Sequence, residues 1–93
     1  MKEKHYQYSL DNGDLVIIDV RLVPDSKYRG GVMFTFRCMS QKGETRFAVE
    51  NSHGEPHIHA KGRKEPLDCD WKAAHRKFDE MLGEHIRKIG KGL

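Results

Sequence analysis

The chain has 93 residues, of which 37% are hydrophobic and 33% charged, with a net charge of +3 and a pI near 9.0. That length makes one domain, residues 1–93, with a core about as large as one sheet covered on one side can bury. No apolar run approaches the roughly 18 residues of a membrane span, no secretory apolar region precedes the two cysteines, and Cys38 and Cys69 form no CxxC pair. A membrane-spanning helix and a disulfide scaffold are therefore not expected; reduced thiols in a cytoplasmic protein are. The small basic excess helps approach to an acidic partner such as RNA, and is equally that of an ordinary lysine-rich surface.

Residues 5–9 alternate weakly and predict a short edge strand, and Asp11-Asn12-Gly13-Asp14 is a turn signal. Residues 15–23 are rich in β-branched side chains. Val16, Ile18, Val20 and Leu22 give that strand one apolar face, and the other positions are mixed. Pro24 ends it, and residues 25–31 read as a loop with Gly30-Gly31 at its exit. Residues 32–39 place Val32, Phe34, Phe36 and Cys38 on one face. After a turn at 41–44, residues 45–50 return with Phe47 and Val49 alternating against Arg46, Ala48 and Glu50. Residues 52–56 are a loop, residues 57–61 a short strand with Ile58 and Ala60 opposite His57 and His59, and Pro66 closes the sheet region.

The pattern then changes period. Trp71, Ala74, Phe78, Leu82, Ile86 and Ile89 recur three and four apart, so residues 70–89 predict one amphipathic helix flanked by His75, Met81 and His85. Asp68 or Asp70 suits its N-cap, Arg87-Lys88 its negative end, and Gly90 the position just past it. The fold expected is α+β: an antiparallel four- or five-stranded meander over about 5–61, with one long C-terminal helix packed on one face. The helix would cover Phe34, Phe36, Phe47, Val49 and Ile58. The uncovered face would carry Arg37, Arg46, Glu50, His57 and His59.

That face holds the unusual chemistry. Three of six histidines, His53, His57 and His59, fall within seven positions. His57 and His59 are two apart, so on a strand they point the same way, roughly 6–7 Å apart. Imidazole titrates near neutral pH and is the commonest metal ligand. One reading is metal-independent RNA cleavage by a His57/His59 acid–base pair. Arg37 and Arg46 would hold phosphate, Glu50 or Glu55 would orient an imidazole or act as a base, and Arg29, Lys61, Arg63 and Lys64 would supply basic rim contacts. A second is a non-catalytic module docking nucleic acid or a protein on the same face. A third is a metal site formed by His53, His57 and His59, for which His53 must fold back across Gly54 and Pro56. The first reading needs no cofactor.

From Lys27 to Pro66 the chain resembles the TumE-type toxins of bacterial and archaeal toxin–antitoxin pairs. The resemblance rests on Tyr28-Arg29 opening a strand, Glu50-Asn51 closing the next, then Gly54, His57, His59, Gly62 and Glu65-Pro66. The run Pro56-His57-Ile58-His59-Ala60 is also similar to a Pro-His-x-His-Ala run in small proteins linked to such loci. The resemblance implies a small toxin acting on RNA and neutralised by a helix-turn-helix antitoxin, with His57 and His59 central and Asn51 and Glu65 supporting them. An uncovered sheet or strand edge further suggests a homodimer.

Overall fold

The computed structural model describes residues 2–24 and 28–91. Six strands form one antiparallel sheet in chain order: β1 (Lys4–Ser9), β2 (Leu15–Leu22), β3 (Val32–Met39), β4 (Thr45–Glu50), β5 (His57–Ala60) and β6 (Arg63–Pro66). One helix follows, α1 (Trp71–Lys91). The α+β class and the meander match the expectation; the strand number does not. The strand beyond the expected four or five is β6, whose Arg-Lys-Glu-Pro sequence is exposed throughout and carries no apolar alternation. It is made by the turn before it. Lys61 and Gly62 both take left-handed φ, +52° and +74°. This is the two-residue hairpin geometry whose twist matches that of the strands.

The core lies between α1 and one face of the sheet. Val16, Ile18, Val20, Phe34, Phe36, Cys38, Phe47 and Val49 meet Ala74, Phe78 and Leu82. Phe78 seats between Phe36 and Phe47, with ring centroids 6.0 and 5.5 Å away. Burying one such ring contributes about 1.5–3 kcal/mol. Asp70 caps the helix, its Oδ1 accepting the Ala73 N–H at 2.8 Å.

Three details of the expected pattern change. The helix continues through Gly90 to Lys91, so Gly90 does not stop it. Ile86 is exposed, because His85 takes the inward position at that turn, edge-on to Phe47. Leu22 is exposed at the end of β2, since α1 packs chiefly on β3 and β4.

Candidate functional site

The site follows from the register of the last three pairings. Glu50 on β4 is the cross-strand partner of His57 on β5, and Ala48 is the partner of His59. Arg37 on β3 pairs with Ala48 and so stands diagonal to Glu50. Strand alternation puts Arg37, Glu50, His57 and His59 on the face that α1 does not cover, as expected. That face is nevertheless not uniformly wet: Glu50 is 3% exposed and His57 4%. The 51–56 loop folds back on them, with Ser52 Oγ donating to Glu50 Oε1 at 2.8 Å. The Glu55 backbone carbonyl meets His57 Nδ1 at 2.9 Å.

Glu50 is charged in spite of its burial. Burial pushes its carboxyl up, but the hydrogen bonds from Arg37 and Ser52 and the nearby positive charge outweigh it, and the group is held below the usual range. Arg37 Nη2 donates to Oε2 at 2.7 Å. Oε1 faces the imidazoles, with His57 Nε2 at 3.6 Å and His59 Nε2 at 3.8 Å. The two rings stand edge to face, 4.4 Å apart. His59 is the accessible one, its side chain 37% exposed against 5% for His57. Burial, and then the neighbouring His57, push the pKa of His59 down against the opposing pull of Glu50. His59 is therefore neutral at pH 7.

The tautomer of His57 is fixed by its partner. A carbonyl oxygen only accepts, so Nδ1 carries the proton donated to Glu55. In the neutral ring Nε2 then presents a bare lone pair. That atom is buried with no hydrogen-bond partner, and it looks at a carboxylate oxygen that is also an acceptor.

In front of these groups lies a cleft of about 410 Å³. Glu50, His59, Arg37, Lys61, Arg63 and Lys64 line it. Lys64 is the cross-strand partner of His59 and so shares its face.

A second buried carboxylate lies on the helix side of the sheet. Asp14 Oδ2 accepts from His85 Nε2 at 2.7 Å, Arg46 Nε at 2.8 Å and Asn12 Nδ2 at 3.0 Å. Burial pushes Asp14 up, and the hydrogen bonds from Asn12, His85 and Arg46 reverse the shift and hold it low. Cys38 lies within ligand distance of Asp14 and His85. Burial, with the charge of Asp14, pushes its thiol up to about 11, so it stays protonated.

Of the expected site residues, the structure brings together His57, His59, Glu50 and Arg37, with Lys61 and Arg63 at the rim. The others stand differently. Arg46, the extra residue where the β3–β4 register shifts, lines the same cleft, but its guanidinium is paired with Asp14. Asn51 is spent on the end of β3: its Oδ1 accepts from Phe34 N at 2.8 Å and its Nδ2 donates to Val32 O at 2.9 Å. Glu65 pairs with Ile58 and so shares the opposite face from His57. The side chain of Arg29 and the whole of Lys27 lie outside the described residues.

His53 stacks on His57 at 6.2 Å, and Glu50 takes the third place that a three-histidine cluster would give it. Sequence reasoning did not single out Ser52, Asp14 or the inward role of His85. The signal for Lys64 was its place among the basic residues expected to meet RNA, and β6 seats it across from His59. For Asp14–His85, 71 positions apart, there was none. Comparisons with protein-family models, with curated proteins and with solved structures found no match. No helix among the described residues is long and apolar enough to cross a membrane.

Proposed function

We propose that this protein acts on RNA as a metal-independent ribonuclease of the toxin type, with the open sheet face as its active site. One observation carries the reading: a neutral, accessible imidazole, His59, stands in a cleft walled by Arg37, Lys61, Arg63 and Lys64. Phosphodiesters are held by such basic rims, and a base with a pKa near working pH can take the 2′-OH proton. The freed 2′-oxygen attacks phosphorus, the bond to the 5′-oxygen breaks, and a proton from water completes the leaving alcohol. Arg37 and Lys64 meet the charge that develops on the phosphoryl oxygens.

The roles of the two histidines are unequal. His59 handles the proton. His57, buried, backs Glu50 and sets the position of its neighbour. Glu50 anchors Arg37 and gives His59 a negative partner once it is protonated.

The remaining parts of the reading rest on the resemblance and on the sheet edges. The protein works in the cytoplasm, is held inactive by a helix-turn-helix antitoxin, and pairs with a second copy through the exposed edges of β1 or β6.

The test compares wild type with His59→Ala and His59→Gln for growth arrest on induction and for cleavage of a single-stranded RNA in chelator. The reading expects cleavage to fall at least about a hundredfold in both variants. Salt-sensitive RNA binding with no turnover in the wild type would make the face a binding module instead.

A further inference from the structure

We infer that Glu50, His57 and His59 form a binding site for a divalent transition-metal ion of the zinc class. The inference is independent of the RNA reading, because it rests on the geometry of three ligand atoms and not on any substrate. One ligand atom from each of the three residues lies within 4.8 Å of the other two, and Glu50 Oε1 is approached by the Nε2 atoms of His57 and His59. Two imidazole nitrogens and one carboxylate oxygen are a donor set that zinc takes in three-ligand sites with an open fourth position. Bonds of about 2.0–2.2 Å in tetrahedral array put neighbouring ligand atoms about 3.4 Å apart. The distances from Oε1 to the two nitrogens, 3.6 and 3.8 Å, need only a few tenths of an ångström of closure.

His57 supplies the independent observation. Its Nδ1–H is tied to the Glu55 carbonyl, which is the outer hydrogen bond that orients a metal-binding imidazole. Its Nε2 is buried, unpartnered and aimed at two other acceptors. At 3.6 Å the approach to Glu50 Oε1 is too long for a hydrogen bond. A cation seated among the three atoms satisfies all of them at once.

Arg37 and Ser52 complete the surround. Arg37 holds Oε2, so the carboxylate presents Oε1 alone, and Ser52 also donates to Oε1. The guanidinium charge nearby lowers affinity and makes the site weaker than an all-neutral one. The fourth position opens to the basic cleft, where water or a phosphate oxygen completes the shell.

The same nitrogen cannot serve both proposals at once. A bound ion takes His59 Nε2, so zinc inhibits cleavage that runs without metal.

The experiment uses the untagged full chain, freed of metal with a chelator, and no RNA. Zn²⁺ is titrated in competition with a chromophoric chelator, and Co²⁺ is added separately to read its visible absorption bands. One equivalent of Zn²⁺ is expected to bind, with intense Co²⁺ bands typical of tetrahedral geometry. His59→Ala and Glu50→Gln should each weaken Zn²⁺ at least about tenfold, while His53→Ala stays within twofold. Should Glu50→Gln fail to fold, His59→Ala decides, since that side chain is 37% exposed. Wild type that takes up no stoichiometric Zn²⁺, or His59→Ala that binds it as tightly, overturns the inference. Neither result touches the RNA reading, which is scored in chelator.

Discussion

Two buried carboxylates, one on each face of the sheet, are built from nearly the same parts and end in opposite states. Asp14 and Glu50 each have an arginine, a small polar neighbour and imidazole nitrogen close by. At Asp14 the imidazole arrives at contact, 2.7 Å, and one oxygen receives three donors. At Glu50 the imidazoles stop at 3.6 and 3.8 Å, and one of them turns a lone pair toward the carboxylate. An ångström separates a closed clamp, which ties α1 to β2 and β4, from an open set of ligands. Residue type alone does not tell a structural His–carboxylate pair from a chemical one; the gap and the direction of the free nitrogen do.

The comparison can be broken at its strongest point first. Asp14→Ala leaves Arg46 and His85 without their common acceptor and should cost about 3–5 kcal/mol of stability in urea unfolding. A loss under about 1 kcal/mol would remove the clamp from the account.

His59→Ala should do the reverse: stability unchanged within about 0.5 kcal/mol, with RNA cleavage and zinc uptake lost. If unfolding shifts and activity does not, Glu50's surround is structural too.

The pH dependence is next in size. Asp14 and Glu50 both have folded pKa values lowered from their ordinary carboxylate values, which lie at about pH 4. Their stabilisation is therefore complete above that pH and drains away as pH falls through the lowered values. Acid unfolding monitored by circular dichroism should begin below about pH 4, and Asp14→Asn should flatten it. Cleavage has its own limb. It should stay level at neutral pH and fall only below the usual imidazole value of about 6.5, because His59 is pushed down and not up.

The smallest expected effect is His53→Ala. The ring is exposed and stacks on His57 without entering the ligand set, so stability should move by less than about 0.5 kcal/mol.

Much of this was legible in the residues. Alternation placed Phe34, Phe36, Phe47 and Val49 in the core and Glu50, His57 and His59 together on the other face, because strand period and burial obey one rule. The misses share a cause. Arg46 lines the cleft yet pairs with Asp14, because a one-residue register shift between Cys38 and Met39 makes it the extra residue, and no composition cue marks such a bulge. β6 was missed because its residues are polar and its turn is Lys-Gly, where Asn-Gly would have announced a hairpin. Asn51 was expected at the site because the resemblance includes the Glu50-Asn51 pair. Its amide instead extends the sheet at β3, a use that depends on a tertiary neighbour.

The position of β5 and β6 at one rim of the sheet has a dynamic consequence. Because every strand pairs only with its chain neighbours, this last hairpin can peel from β4 as a unit, giving up only the packing of Ile58 and Ala60 at the margin of the core. Two of the three ligand residues, His57 and His59, ride on that hairpin, and the third, Glu50, belongs to the strand it leaves. An ion held by all three therefore staples the rim to the body. Amide hydrogen exchange along residues 57–66 would slow on loading, while exchange in β2 and β3 stays as it was.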